Sequence, residues 1–364
     1  MGKLTKVDHG IQTLREAILE EKWTLTNGYI SEKSLIDFLK LSKVSVRKCI
    51  ACLQEENYLR SIPYKGYVVG PAAIQKIYER KYKGEYRRRV IFVIEMEKLT
   101  NYHYSAIVDA AKDEAKLLNF EFQVSDLDKE SLVDEINRHP DVLTTIALLK
   151  TDLDFVDYLI QSCAPSISVE FVSDEAIIDS IVQDDGQGIN LAFDSAWDKN
   201  HREIGLIVLG NHYFQPVRRY TAFTAALMRK NLLDLTYAST TKRFDPEGGK
   251  ECVRKLYSNG KKPTAIIVSH LEMITGILDE LELIGVIPGE DVSIIAWGNE
   301  FLKNKYLSYS KWEKLNIDLI QWSREEMGKM VIRMLEARIK NPLIPTMKVE
   351  VPVEYVDNGS VKTL

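Results

Sequence analysis

The chain lacks several features that would place it in a membrane, outside the cell or in a common enzyme class. None of its apolar runs approaches the ~20 residues that cross a bilayer, and its first residues contain no apolar signal segment. Only four of its 364 residues are cysteine, which argues against a disulfide-stabilised secreted protein. It has no GxxxxGK[ST] phosphate loop, GxSxG elbow or HExxH pair. We therefore expect a cytosolic protein that is not an enzyme and does not contact a membrane.

Two of the cysteines, Cys49 and Cys52, form a CxxC pair. This spacing occurs in redox pairs and in half of a zinc site, but no second pair of Cys or His residues lies nearby to complete a metal shell. The alternative, which we favour, is that both are small apolar residues on one helical face. No metal or cofactor is expected.

Charge is distributed unevenly along the chain, whose net charge is −5. Residues 1–89 carry 18 Lys and Arg against 10 Asp and Glu, a net +8, whereas the remainder has a net −13. A basic end is suited to a polyanionic partner such as DNA. A solvated basic linker is the alternative, because residues 71–89 contribute five of the eight net charges.

The first 70 residues have the pattern of three helices followed by a β-hairpin. Apolar residues recur at helical spacing from Ile11, a break is expected at residues 26–28, and Ser31 and Ser42 are placed to cap two further helices. Two short β-like runs, YLRSIP and GYVV, follow. This is the order of a winged helix-turn-helix, whose third helix lies in the major groove of DNA with its N-terminal residues nearest the bases.

Hydroxyls and cations at the start of the third helix suit that role. Ser42 and Ser45 can cap the helix and contact phosphates, and Arg47 can form a forked pair with guanine. The segment SEKSLIDFLKLSKVSVRKCIACLQEENYLRSIPYKGYVV resembles the GntR-type winged-helix domain. The resemblance implies that DNA is contacted by Lys33, Ser42, Lys43, Ser45, Arg47, Lys65 and Gly66.

Two of these residues depart from the family pattern. Lys33 and Lys43 stand where the GntR-type domain has arginines, so planar forks are replaced by point charges. Residues 71–89 are highly charged, with a hint of helix, and we interpret them as a linker that touches the DNA backbone or is a plain tether.

Beyond residue 89, continuous apolar runs alternate with amphipathic helices. The runs are VIFVI, TTIALL, GLIVL, TAIIV and VSIIAW. Such runs predict an α/β fold with parallel sheets covered by helices on both faces. Because residues 90–364 are too many for one such sheet, we expect two lobes with a ligand cleft near the carboxyl ends of their strands.

Several segments in this part resemble the LacI/GalR-type effector domain, which is similar to periplasmic sugar-binding proteins. They are APSISVEF, DDGQGINLAFDSAWDKNHREIGLI, RRYTAF, RFDPEGG, KKPTAIIVSH and GVIPGEDVSIIAWGN. The resemblance implies an effector-binding and dimerisation domain over residues 90–364. It carries ligand contacts onto Tyr104, Glu170, Gln215, Arg219, Phe244, His270, Asn299 and Trp322.

Within this set, the resemblance gives Arg219 the role of clamping ligand hydroxyls or carboxylates, which its rigid fork of donors suits. Glu170 corresponds to an acceptor carboxylate, and the aromatic residues to rings that stack on the ligand. Phe244 and Trp322 could instead be core aromatics, and His270 could be structural.

One position departs from the effector-domain pattern in a way that bears on the ligand. Gly298 stands where the family has an aspartate, so either the ligand is not a typical hydroxyl-rich sugar or its acceptors come from Glu170, Asn299 and Glu300. Glu170 is also a candidate partner for Arg219 in the empty site. We therefore expect an effector with more acceptor character than a plain aldose, such as a sugar acid or a glycoside.

Together these patterns predict a one-component transcription regulator, a repressor, with a DNA-binding domain, a linker and a two-lobed sensor. A symmetric homodimer would require a palindromic operator. The alternative is that the effector domain has lost its ligand and serves only as a dimerisation module.

Overall fold

A computed structural model describes residues 5–22, 29–82, 86–149, 153–172, 178–210, 214–258, 260 and 262–364. The chain forms two compact units. The first comprises Met1–Val182 and Arg324–Val349, and the second comprises Gln183–Ser323 and Glu350–Leu364. In the ranges described, no helix is both long enough and apolar enough to span a membrane.

The first unit begins with an N-terminal domain of helices and one hairpin. Its elements are α1 (Lys6–Leu19), α2 (Glu32–Leu39), α3 (Lys43–Glu55), β1 (Leu59–Ile62), β2 (Gly66–Val69) and α4 (Pro71–Lys81). Ser31 and Ser42 cap α2 and α3 as predicted, each accepting a hydrogen bond from the amide three residues on. The break expected at residues 26–28 lies outside the described part of the chain.

The antiparallel hairpin of β1 and β2 matches the predicted wing. Gly66 begins β2 with φ +125°, and a Cβ there would lie 2.6 Å from the carbonyl oxygen of Ile30. Tyr67 exchanges backbone hydrogen bonds with Ile30, which ties the hairpin to the start of α2. A glycine is therefore needed for the turn and for this close approach.

The segment interpreted as a linker is largely a helix. In α4, Ala73 and Ile77 are buried in the same apolar cluster as Leu14 of α1 and Leu53 of α3. The strand that follows starts at Arg87. The prediction of a linker over residues 71–89 is thus wrong for residues 71–81, because apolar residues four apart give this charged helix an inner face.

The CxxC cysteines have different environments. Cys49 is fully buried in the core of the N-terminal domain, whereas Cys52 is half-buried and its thiol lies 3.5 Å from Glu56. Burial raises the pKa of both thiols. A raised pKa keeps the less reactive thiol form, in line with the apolar interpretation.

The rest of the first unit is a lobe built on a six-stranded sheet. Its elements are β3 (Arg87–Val93), α5 (Tyr102–Leu117), β4 (Phe120–Ser125), α6 (Lys129–Asn137), β5 (Val142–Leu148), α7 (Leu153–Gln161), β6 (Ser166–Val169), β7 (Asp179–Gln183), α13 (Arg324–Lys340) and β13 (Lys348–Val351). The strand order is β13-β7-β6-β5-β3-β4, and the pairs from β4 to β7 are parallel.

The second unit is also a lobe with a six-stranded sheet. Its elements are α8 (Asp185–Asp198), β8 (Ile204–Leu209), α9 (Phe214–Arg229), β9 (Ala238–Thr241), α10 (Pro246–Ser258), β10 (Ala265–Val268), α11 (Ile274–Leu283), β11 (Ser293–Trp297), α12 (Glu300–Leu307), β12 (Asp318–Trp322) and β14 (Val353–Val356). The order is β14-β12-β11-β10-β8-β9, with only β14 antiparallel among these pairs.

Both lobes are doubly wound, which confirms the predicted α/β class and the five apolar runs as strands. In each sheet the strand order reverses between the first and third strands of the lobe, β3 and β5 in one and β8 and β10 in the other. Ligands of such sheets bind beyond the carboxyl ends of the strands at this reversal.

Candidate functional site

The starts of α2 and α3 carry five of the predicted DNA-contacting residues. Lys33, Ser42, Lys43 and Arg47 are exposed, and Ser45 is half-buried. The buried side of α3, which includes Val46 and Cys49, packs in the core. The helix therefore separates a polar face from its packing face.

An acidic residue lies among these cations. Glu32 of α2 accepts a hydrogen bond from Arg47 Nε at 3.0 Å, and Lys43 Nζ lies 3.6 Å from the same carboxylate. The Arg47 hydrogen bond holds the pKa of Glu32 below its usual value. The carboxylate pre-orients Arg47, and it also competes with any phosphate for the two cations.

The predicted wing contact Lys65 has a partner within the protein. Its Nζ lies 2.9 Å from both carboxylate oxygens of Asp157 in α7, and the Tyr29 hydroxyl donates to the same carboxylate at 3.2 Å. In this conformation the hairpin is tied to the first lobe, so Lys65 would have to leave Asp157 to contact DNA.

In the second unit, Arg219 of α9 is the centre of a buried polar cluster. It is 2% exposed, and its Nε donates to Asp185 Oδ1 at 2.8 Å. Its Nη1 donates to the carbonyl of Ser269, immediately after β10, and its guanidinium lies 3.8 Å from the Trp297 ring centroid. These contacts lie at the strand reversal, where the resemblance predicted a ligand clamp.

Arg219 has a carboxylate partner that the sequence analysis did not name. Asp185 is fully buried in the first turn of α8 and pairs with Arg219. The pairing of Arg219 with Glu170 stays a prediction. Sequence reasoning missed Asp185 because attention fell on the neighbouring glycines. The available signal was an aspartate directly after the capping Asp184, which places a second carboxylate inside the first helical turn.

Glycines around this cluster make room for the Trp297 indole. A Cβ on Gly188 would lie 2.3 Å from that ring, and one on Gly298 would lie 2.1 Å from Leu271 Cδ1. The indole Nε1 donates to Gln183 at 2.9 Å. Gly188 of the Gly186-x-Gly188 motif thus serves close packing at the helix start, and an aspartate at position 298 would clash with Leu271 unless that side chain moved.

Phe244 and His270 form a second group at the same edge of this sheet. Their rings meet edge to face with centroids 5.0 Å apart, and the His270 Nδ1 is 2.6 Å from the Ser269 hydroxyl. Phe244 is 47% exposed, so the core-aromatic alternative does not hold for it. An exposed ring beside a polar strand end is suited to stacking on a ligand.

The remaining predicted residues of the second unit are placed less favourably. Gln215 is half-buried in the first turn of α9, and Trp322 is buried at the end of β12. Asn299 accepts a hydrogen bond from Leu302 N and so caps α12. Glu300 is exposed and pairs with Lys303. The amide oxygen of Asn299 and the Glu300 carboxylate therefore already have local roles.

In the first unit, Glu170 belongs to a chain of hydrogen bonds. His103 of α5 bonds to Glu170 Oε2 through Nε2 at 2.7 Å, and Arg324 Nε donates to His103 Nδ1 at 3.2 Å. Since Nδ1 accepts, the imidazole is neutral with its proton on Nε2, which donates to the carboxylate. Tyr104 lies beside this group with its ring 4.7 Å from that of His103.

The backbone at Glu170 is unusual. Its φ is +67°, in the left-handed region, and its amide donates to Ile181 of β7 at 2.8 Å. A non-glycine residue held there costs free energy, and such strain concentrates at functional sites. His103 and Arg324 were missed from sequence because neither lies in a motif of the resemblance. His103, next to the predicted Tyr104, was the available signal.

Comparison with known proteins supports the architecture. Residues 193–361 match the model of the periplasmic binding protein-like domain. The transcriptional regulator CelR in complex with cellobiose has a TM-score of 0.62 at 18% identity, covering 79% of this chain and 89% of that one. A LacI family regulator of Enterococcus faecium with bound ribose has a TM-score of 0.59 at 22% identity, covering 76% and 100%. The fold is the periplasmic-binding-protein-like one.

Curated relatives carry the names of transcriptional repressors. The HTH-type transcriptional repressor PurR of Histophilus somni (strain 129Pt) is 27% identical over 167 residues, 46% of this chain and 48% of its own length. The ribose operon repressor of Haemophilus influenzae is 25% identical over 178 residues, 49% and 52%. The chain spans about half the length of the curated relatives it matches.

Proposed function

We propose that the chain is a cytosolic transcription repressor whose affinity for DNA is controlled by a small polar effector. The observation that carries this proposal is the pairing of two parts in one chain. One is a three-helix domain with an open basic helix start, and the other is a two-lobed sensor whose strand ends gather polar side chains. The repressor names of the curated relatives support the same conclusion.

The DNA-binding domain is of the GntR-type winged-helix class in this proposal. Support comes from the hairpin at residues 59–69 and from the exposed residues Lys43 and Arg47 at the start of α3. Arg47 reads a base through its fork, and the hydroxyls and lysines contact phosphates. Two such domains in a homodimer read a palindromic operator, because the two-fold axis of the dimer repeats each contact.

The effector in this proposal is carbohydrate-like and binds at the carboxyl ends of the strands. Arg219 offers donors, and Asp185 beside it offers an acceptor, so a hydroxyl can find both partners at one place. The aspartate missing at position 298 is thus compensated by Asp185. A neutral sugar therefore fits this site as well as the predicted sugar acid or glycoside does.

The first unit has candidate ligand contacts of its own. Glu170 can accept from a ligand hydroxyl, and the neutral His103 fixes the orientation of that carboxylate. Tyr104 is a ring that suits the apolar face of a sugar, and Phe244 is the corresponding candidate in the second unit, taken by itself. The effector would act by changing the relative stability of sensor conformations with different affinities for the operator.

A DNA-binding titration tests the first half of the proposal. Binding of the full chain to a palindromic duplex selected from random sequence should weaken steeply with salt. Arg47→Ala should cost about 1–3 kcal/mol and relax preference at one base position. The matched control is Arg138→Ala, since Arg138 is an equally exposed arginine paired with a glutamate in α6. Unchanged affinity and preference in the Arg47 variant would refute the groove assignment.

The effector half is tested by mass spectrometry of ligands that co-purify with the full chain, followed by calorimetry with each candidate. Arg219→Ala and Glu170→Ala should each remove binding. A hit whose affinity is unchanged in both variants binds elsewhere and would contradict the proposed site.

One observation favours the second candidate function, a sensor domain that only dimerises. Arg219 is already contacted by Asp185, by the Ser269 carbonyl and by the Trp297 ring, as a purely structural arginine would be. The two candidates differ in a calorimetric screen of monosaccharides, disaccharides and sugar acids. Heat from at least one class is expected if the effector site functions, and none if the domain is only a dimerisation module.

A further inference from the structure

The first unit contains a cavity of about 480 Å³ between the N-terminal domain and the first lobe. It has none of the predicted effector contacts among its lining residues. The N-terminal domain contributes side chains from the hairpin and α4, and the lobe contributes α7, the strand starts of β6 and β7, and the end of α13. Its volume lies within the range of small-molecule sites.

The two charged groups on the lobe side of the cavity, Arg338 and Asp179, pair with each other. Arg338 of α13 binds both carboxylate oxygens of Asp179, through Nε at 2.9 Å and Nη2 at 2.6 Å. Its remaining donors reach the carbonyls of Pro342, Ile344 and Pro345. The Arg338 guanidinium is thus held in place and its charge is balanced by Asp179. It lines the cavity, but its donors are already used within the protein.

Arg60 on the opposite wall is different. It projects from β1, and no carboxylate in the part of the chain that the structure describes forms an ion pair or hydrogen bond with it. Burial by the surrounding atoms lowers the pKa of Arg60, and the nearby charge of Arg338 lowers it further. The Arg60 side chain is exposed to solvent, so its guanidinium is accessible to an anion that enters the cavity.

The rest of the lining is mostly apolar. Leu59, Val68 and Ile74 face the cavity from the N-terminal domain, and Leu159 and Leu343 from the lobe. The Tyr78 hydroxyl donates a hydrogen bond to the Cys163 carbonyl oxygen at 2.5 Å. An inorganic ion at Arg60 would leave these apolar walls uncovered, whereas an organic anion would fill them and gain from burial of its body.

We propose that this cavity is a second ligand site, which binds a small organic anion with its carboxylate or phosphate on Arg60 and its apolar body between the hairpin and α7. Such a ligand touches the N-terminal domain and the first lobe at once. It therefore stabilises their packed arrangement, independently of an effector at the strand ends. By mass action it raises the melting temperature in proportion to the logarithm of its concentration.

Four probes test the preferred ligand chemistry on the full chain. Benzoate, phenyl phosphate and benzyl alcohol share a phenyl ring and differ in charge, and inorganic phosphate has the charge without the ring. Calorimetry should detect at least one of the two aromatic anions, with affinity at least tenfold above benzyl alcohol and inorganic phosphate. Preference between benzoate and phenyl phosphate identifies the head group. Equal binding of benzyl alcohol would overturn the role of charge, and equal binding of inorganic phosphate would overturn the apolar body.

Two variants locate the site. Arg60→Gln should weaken the bound anion at least tenfold, while Arg138→Gln, on the surface of α6, should leave it unchanged. Ala164→Leu should also weaken it, because Ala164 lines the cavity and the larger side chain fills it. Circular dichroism and DNA binding establish that each variant is folded. Retained anion binding in both folded cavity variants would overturn the proposal without bearing on the regulator function.

Discussion

Arg219 has several contacts within the protein, so the residue proposed to bind the effector also contributes to stability. Its charge is buried with that of Asp185, so each guanidinium or carboxylate depends on the other. Removing one member of a buried pair leaves the other uncompensated, which is more costly than removing both. The contribution of Arg219 to binding can therefore be measured only against its contribution to folding.

We predict that Arg219→Ala lowers the free energy of unfolding by about 3–5 kcal/mol, because Asp185 loses its guanidinium partner. Urea denaturation measures the change. The neighbouring Arg218→Ala is the matched control: Arg218 pairs with Glu350 near the surface, and its loss should cost about 1 kcal/mol or less. In a double-mutant cycle, Asp185→Ala should show a coupling of about 0.5–3 kcal/mol with Arg219→Ala. Additive effects of the two substitutions would contradict a coupled pair.

For single residues, the sequence predicted candidate site residues better than it predicted the side chains that they contact. Arg219 was found because it occupies a motif position, and the same is true of Glu170. Their actual partners, Asp185 and His103, come from other elements and are set by packing of the α8 start and of α5. A contact between segments that are far apart in the chain leaves no local pattern, so no spacing rule could have found it.

Helices and strands were more predictable, because their signals are local. The caps at Ser31 and Ser42 and the five apolar runs correspond directly to elements of the structure. The exception was α4, whose charged surface concealed a narrow apolar face around Ala73 and Ile77. The net charge of a helix depends mainly on its exposed residues, whereas its packing depends on the residues of its buried face.

The start of α3 yields a prediction about Glu32. Glu32→Gln should strengthen operator binding at low salt, because it removes a negative charge that pairs with Lys43 and Arg47. Gel shifts at 50 and 200 mM salt measure the effect, which should shrink as salt rises. Glu56→Gln is the control, since Glu56 pairs with Arg15 at the other end of α3. Weaker binding in Glu32→Gln would mean that pre-orientation of Arg47 outweighs repulsion of phosphate.

The C-terminal segment yields a prediction about pH. His201 is 1% exposed, with Nε2 at 2.9 Å from the Lys362 carbonyl and Nδ1 at 2.8 Å from the Thr264 hydroxyl. Burial lowers its pKa. Below the ordinary histidine pKa, the unfolded chain therefore binds a proton that the folded chain does not, and stability falls as pH falls.

Melting temperature should accordingly decrease between pH 7 and pH 5. His201→Gln should reduce this decrease, whereas His9→Gln, at an exposed position in α1, should not. An equal decrease of melting temperature between pH 7 and pH 5 in wild type and His201→Gln would show that other groups cause the loss of stability in acid.

In the proposed function, DNA binding and effector sensing belong to different parts of the chain. Residues 86–364 keep both sheets intact, because β3 starts at Arg87, whereas a fragment that began at residue 90 would truncate it. We predict that residues 86–364 form a homodimer in sedimentation velocity at micromolar concentration and do not bind the operator. Removing residues 5–82 uncovers the apolar wall at Leu159 and Leu343, so the same fragment should aggregate more readily than the full chain. A monomeric fragment would count against a dimerising sensor.

The discontinuous first unit has a consequence for synthesis on the ribosome. The core of the N-terminal domain is complete once residue 78 has emerged, so this domain can fold early. The first lobe cannot, because α5 packs extensively on α13, and the ion pair between Glu114 and Arg333 joins positions 219 residues apart. Its half-built sheet must wait while residues 183–323 are translated, a period of about 7–28 s at about 5–20 residues per second. During that interval the face of α5 that later packs on α13 is uncovered, and exposed apolar surface of this kind is what chaperones bind.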